Sequence, residues 1–343
     1  MTNPILSRAG LALVALCPAL SAQEIPQDVL DTAYVPGAYQ VFTGAGQPAG
    51  LEDVVAAMAG QEVVFIGETH DDPTGHALEL DLLTRAVEVY GEERPVALSL
   101  EFFQRDVQPI LDEYLAGLIT EKAFLADSRP WPRYDTDYRG LVEYARINDF
   151  PVIAANAPRR YANRVARLGR EGLLELDPEA LATLAPLPYG EPSAAYRDQW
   201  IQTIMAVMEE ESMKCGKPIV DAAPDDPGEE TGGGHESAHG NMGNQLHSQV
   251  LWDATMAYWV GDHLMRRPGS LVLHMVGSFH VARGTGIPEQ LQRYRPTRAM
   301  IVVIRPVADV AVFEAAPAGT WGDFVIQTDE SHTLEQIECR VSP

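Results

Sequence analysis

Short, mostly apolar runs recur along this 343-residue chain, each closed by a glycine or by a charged or amide residue. The first, Val63-Val64-Phe65-Ile66, reads as a short strand buried on both faces. Pro95 to Leu100, Val152 to Ala155, Ser270 to Val276 and residues 299–304 repeat the pattern. Between the first two runs the period changes. Ala77, Leu80, Leu83 and Val87 fall at three-to-four spacing, which predicts a helix from about His76 to Tyr90, ended by Gly91. Strand, helix and strand together make a βαβ unit with a right-handed crossover. Helical patterns also cover 51–59, 107–118, 141–148 and 245–265. Strands alternating with helices predict an α/β fold, a central, mostly parallel sheet flanked by helices. Residues 158–214 lose the strand runs and predict a smaller helical subdomain.

The ends and one internal stretch depart from this pattern. Arg8, the apolar run Ala9 to Leu16 and the small residues Ala19, Ser21 and Ala22 read as an export signal over 1–22. Its apolar part is too short to span a bilayer, so the expected destination is the periplasm. Cys17 would permit a lipid anchor, but the bulky Leu16 precedes it, and soluble secretion is favoured. Residues 23–50, punctuated by proline and glycine, form an extended lead-in. The α/β domain then covers 51–157 and 246–310, and 311–343 is a C-terminal segment. Residues 215–245 form an acidic, Gly/His-rich, flexible insertion. It carries His235 and His239 and runs on toward His247, as a ligand-collecting lid or, as composition favours, with incidental histidines.

Charge narrows the partners. The chain has 25 Lys and Arg against 49 Asp and Glu, a formal net charge of −24. Such a surface repels nucleic acid and anionic membrane. Cys215 and Cys339 survive processing and an oxidising compartment would let them pair, but without Cys-x-x-Cys spacing they make no thiolate metal site.

Chemistry gathers at the strand ends. Gly67-Glu68-Thr69-His70 leaves the first run, Glu101 closes the second, and Gly277-Ser278-Phe279-His280 leaves the fourth. If these strands are parallel neighbours, Glu68, His70, Glu101 and His280 converge at the sheet edge where α/β folds place ligands. Asn156, after the third run, is another candidate to face that crevice. Two carboxylates and two imidazoles suit Zn²⁺, Mn²⁺ or Fe²⁺. Without metal, His70 would act as a general base oriented by Glu68 or Glu101. The plainer alternative is that Asp71, Asp72 and Thr74 cap the next helix and that Glu68 and His70 are loop polars.

Val64 to Pro73, Leu98 to Phe103, Gln249 to Ala257 and Gly277 to Val281 resemble the ChaN-like haem-binding family. Its superfamily also holds the Tiki proteases and the erythromycin esterases. The likeness spans roughly residues 55–305. It implies an exported haem-binding protein in haem and iron uptake, with haem and the envelope's uptake machinery as partners; a homodimer is admitted. Haem ligation would fall to His70, Tyr189, Tyr196, His239 or His280, because imidazole and tyrosinate both ligate haem iron. Arg159, Arg160, Arg164, Arg167 and Arg170 would meet propionates or, as a solvated face, pair with Glu171 and Glu175. The alternative is a divalent-metal-dependent hydrolase using Glu68, His70, Glu101 and His280 as catalytic residues and metal ligands.

Overall fold

Alternation within the strands sets the layers of the molecule. In β3 (Val63–Glu68), Val64 and Ile66 pack on one side of the sheet, with Leu78, Leu82 and Leu83 of the helix Pro73–Tyr90. Val63 and Phe65 pack on the other, with Met256, Ala257, Val260 and Leu264 of the helix Met242–Arg266. Successive strand residues point to opposite faces, so an unbroken apolar run is what a doubly covered strand requires. The structure, a computed structural model, describes residues 24–215 and 242–334. The expected export signal with Cys17, the histidines His235 and His239, and Cys339 lie outside the described residues, as does the side chain of Cys215.

The other strands are β1 (Tyr39–Thr43), β2 (Pro48–Ala49), β4 (Val96–Gln104), β5 (Val152–Asn156), β6 (Leu271–Gly277), β7 (Ala299–Val307) and β8 (Phe324–Asp329). They form one eight-stranded sheet in the order β2-β1-β8-β7-β3-β6-β4-β5. From β8 to β5 all neighbours are parallel, and β1 joins antiparallel to β8 and β2. The fold is thus α/β, with a mostly parallel sheet. Residues 39–49 and 324–329 add strands to it, so both the lead-in and the C-terminal segment take part in the sheet. From β3 the chain crosses to β4 and β5, returns to insert β6 between β3 and β4, then passes β3 to β7 and β8. That reversal leaves the C-terminal ends of β3, β6 and β4 side by side, where a crevice opens.

One strand outruns its sequence expectation. β4 does not end before Glu101 but continues to Gln104, shifting register against β5 between Leu100 and Gln104. The bulge carries Phe102 and Phe103 into the core. At the free edge of β5 the Gln108 amide stands in for a missing strand: Nε2 donates to Val152 O at 2.8 Å, and Oε1 accepts from Ala154 N at 2.8 Å. Gln108→Ala is expected to cost about 2 kcal/mol, two hydrogen bonds at roughly 1 kcal/mol each. Urea denaturation checks it, and a change under about 0.5 kcal/mol would show that water replaces the amide.

The helical region after β5 packs mainly on one helix, with Phe279 and Tyr294 at its margin. Val165, Leu173, Tyr189, Tyr196 and Trp200 cluster against Leu246, Val250, Leu251 and Ala254 of Met242–Arg266. No helix among the described residues is long and apolar enough to cross a membrane.

Candidate functional site

Glu68 is the last residue of β3 and shares the face of Val64 and Ile66, so it points toward the start of the helix Pro73–Tyr90. It is 1% exposed, and its Oε1 meets His70 Nδ1 at 2.5 Å. Its Oε2 lies 3.8 Å from Nε2 of His76, in the first turn of that helix. Asp72 begins the helix as its N-cap, accepting from Thr74 N at 3.0 Å. Asp72 therefore caps the helix, while the buried Glu68 pairs with a part-exposed His70.

A second layer supports the first. His76 Nε2 lies 3.1 Å from the His70 carbonyl and 3.6 Å from Asp137, while its Nδ1 lies 3.4 Å from Glu79. Arg133 donates to the same His70 carbonyl at 2.5 Å and to Asp137 at 3.0 Å. Its left-handed backbone, with φ of 60°, is uncommon outside glycine and is held by these two contacts. Trp131 stands edge-on to the His70 ring at 5.1 Å, and Phe102 stacks on Tyr138 at 3.7 Å beneath it.

Across the sheet a second carboxylate–imidazole pair forms. Glu101 shares the face of Ala97, the side covered by Met242–Arg266. Asp253 on that helix meets His280 Nδ1 at 2.5 Å, and His280 Nε2 lies 3.4 Å from Glu101. Glu101 also accepts from Gly277 N at 2.7 Å. Below, His274 is bonded to Ser99 at 2.8 Å. The pairs meet over Gly277, where a Cβ would stand 2.9 Å from His70 Cε1 and 3.5 Å from Glu101 Oε2. A glycine is needed there for the two faces to touch.

Electrostatics divide these histidines by environment. Burial disfavours charge on His76, yet Glu68, Glu79 and Asp137 override it and push the pKa up to about 10. For His70 burial again opposes charge, but Glu68 and Glu101 raise it to about 9. Burial likewise resists a charge on His280, while Asp253 and Glu101 raise its pKa. His274 has no carboxylate near it, and burial, with His280 close by, drives it down to about 3. Burial raises Glu79 to about 7 despite His76 beside it. Burial also works against Glu68, but His70 and His76 keep it ionised below the usual carboxylate value.

Of the residues expected from sequence, the structure brings Glu68, His70, Glu101 and His280 together. Tyr189 lies apart from these pairs, while Tyr196 lies beside Asp253, behind the second pair. The Tyr189 hydroxyl is committed to the His247 carbonyl at 3.0 Å, Tyr196 is buried beside Asp253, and burial raises both phenols, away from the tyrosinate a ligand needs. Asn156 is buried at the end of the edge strand. The arginines largely pair with acids, Arg160 with Asp106, Arg164 with Glu175 and Arg170 with Glu191. Among the described residues no group of three His, Cys, Asp or Glu side chains is arranged to hold a metal ion. His70 Nδ1 and both His280 nitrogens already face carboxylates.

His76, Glu79, Arg133 and Asp137 were missed as site residues. His76 and Glu79, at i and i+3 in the first turn after a Gly-Glu-x-His loop, carried a usable signal. Arg133 and Asp137 carried none, because only tertiary folding brings their loop to the strand end.

Comparison with known proteins places this geometry. Residues 54–291 match the family described as haem-binding uptake, Tiki superfamily, ChaN. Among solved structures, ChaN of Campylobacter jejuni, described for its cofacial haem binding, aligns with a TM-score of 0.57 at 14% identity, covering 84% of this chain and 96% of its own. An erythromycin esterase mutant in its open conformation aligns at 0.39 and 11% identity, covering 85% and 83% of the respective chains. Protein RETICULATA-RELATED 5, chloroplastic, of Arabidopsis thaliana is 25% identical over 279 residues, or 74% of this chain. The chain spans about a third of that relative's length, 34%. With its family matched from ahead of β3 to beyond His280, this chain belongs to the ChaN family of haem-binding uptake proteins in the Tiki superfamily.

Proposed function

We propose that this protein binds haem with His70 as the iron ligand and serves haem and iron uptake at the cell envelope, exported by its N-terminal signal. The observation that carries the reading is the state of the His70 ring. Its Nδ1 is fixed by Glu68 at 2.5 Å, its side chain is 39% exposed, and Nε2 has no hydrogen-bond partner among the described residues. A carboxylate that orients one ring nitrogen and leaves the other free is how proteins prepare a metal-binding imidazole. Haem, when bound, would supply the iron that His70 Nε2 ligates; Trp131 offers an apolar edge beside the His70 ring, and Glu68 orients the imidazole through Nδ1. A homodimer belongs to the same proposal, each protomer presenting one such ligand.

An absorbance titration of the mature protein with haemin tests this. A saturable Soret shift at about one haem per chain, lost in His70→Ala and kept in Tyr189→Phe, is the expected result. Affinity should also depend on pH. A ligating imidazole must give up its Nε2 proton, and His70 holds it up to about pH 9. Haem affinity therefore rises by about tenfold per unit as pH increases toward 9 and then levels. A flat titration, or a Soret shift indifferent to His70, ends the proposal.

A second reading rests on the Asp253–His280–Glu101 group, in which an oriented imidazole faces a carboxylate 3.4 Å away. That arrangement suits general acid–base hydrolysis. Ester hydrolysis abolished by Glu101→Gln and His280→Ala alike, at unchanged haem affinity, would favour it.

A further inference from the structure

Away from the strand ends, and lined by none of Glu68, His70, Glu101 and His280, a groove of about 760 Å³ opens on the helical region. That volume falls in the range of small-molecule sites, ~300–1,000 Å³. Its walls carry Arg170, Leu174, Leu187, Pro188, His247 and Arg293, with Glu171 on the lining as well. We propose that it binds an apolar molecule bearing one or two carboxylates.

The two guanidiniums converge on one short segment. Arg170 pairs with the Glu191 carboxylate and donates to the Tyr189 carbonyl, its guanidinium 4.1 Å over the Tyr189 ring. Arg293 donates to the Glu191 carbonyl at 2.8 Å. Gly190 makes this convergence feasible, since a Cβ there would stand 2.2 Å from Arg293 Nη1. The Glu191 side chain is 62% exposed, and its second oxygen is 4.0 Å from His247 Nε2. A pair whose carboxylate is this open to water contributes little, so that carboxylate is readily displaced. Glu191 thus occupies the position that a ligand carboxylate would take, with the Arg170 guanidinium as its charged partner.

Two further features fit the rest of such a ligand. Leu174 is 66% exposed beside Leu187 and Pro188, an apolar wall with nothing packed on it among the described residues. His247 Nδ1 is buried without a hydrogen-bond partner among the described residues, and burial together with Arg170 lowers the ring's pKa. Arginines lining an apolar groove favour an anion, against the −24 of the whole chain. With Glu171 and Glu191 at hand, a polyanion is disfavoured, whereas one or two carboxylates on an apolar body match. A porphyrin and a long-chain fatty acid both have that chemistry.

The test uses metal-free protoporphyrin IX and palmitate as probes on the full chain, independently of haem ligation at His70. At least one should bind saturably, and the probe that binds identifies the source. Arg170→Gln with Arg293→Gln should weaken binding by about tenfold or more, while His70→Ala leaves it unchanged. Glu191→Gln, which removes the internal competitor, should tighten binding severalfold, an effect no loss of structure produces. Should the double variant fail to fold, Glu191→Gln and Leu174→Asp decide, both being exposed positions. No binding of either probe below roughly 1 mM, indifference to all four changes, or dependence on His70 overturns the proposal.

Discussion

Glu68→Ala is expected to lower the free energy of unfolding by about 3–5 kcal/mol, the usual result of leaving a buried charge without its partner. Glu68 stands between His70 Nδ1 at 2.5 Å and His76 Nε2 at 3.8 Å. The His70 share of this is screened, because that side chain is 39% exposed. The His76 share is not, since its imidazolium sits in the core, with Glu79 and Asp137 as its remaining acids. The pH dependence identifies the source. His76 is raised from 6.5 to about 10 in the folded state. Its contribution is therefore fully present below pH 6.5 and is lost as pH rises through about 10. Urea denaturation of the wild type and the variant should show a wide gap at pH 6.5 that narrows toward pH 10. A gap under about 1 kcal/mol at the lower pH would mean that His76 is held charged without Glu68.

Gly277→Val is expected to reduce haem affinity by about 100-fold, the scale at which a displacement near 1 Å disables a site. A side chain there strikes the His70 ring, with Cε1 at 2.9 Å and Nε2 at 3.1 Å from the new Cβ. Overpacking should remove only about 1–3 kcal/mol of stability, because the ring has the open mouth to move into. Gly60→Ala is the control, with nothing within 4 Å of the added Cβ. Haemin titration and thermal unfolding of both variants separate the two effects. If Gly277→Val binds haem as the wild type does, the His70 position is not what the glycine protects.

The strands were legible because each is covered on both faces. Doubly buried β3 and β6 are apolar except for Glu68 at the end of one and His274 inside the other, and that makes them stand out against helices of period 3.6. β1 and β2 were not legible as strands, because Tyr39–Thr43 is part-exposed and Pro48–Ala49 is two residues long. β4 was read too short because Glu101, a charged residue, looked like a strand end, while its burial depends on Gly277 N and His280 in a neighbouring strand and loop. Tyr189 and Tyr196 were named by residue type, which says nothing of where a side chain lies. Their burial, which a helical sequence without strong periodicity did not reveal, comes from tertiary packing.

Local pattern alone located the α/β alternation and the turns after β3 and β6, and it named Glu68, His70, Glu101 and His280, because apolar runs and their polar ends are properties of consecutive residues. Which imidazole meets which carboxylate was decided by the insertion of β6 between β3 and β4. That order puts Glu68 with His70 and His76 on one face, and Glu101 with His280 and Asp253 on the other. Residues 68, 137, 253 and 280 have no fixed separation until the sheet closes, and burial then turns chance neighbours into coupled charges. Strand order and burial are long-range outcomes of packing, and no window of adjacent residues contains them.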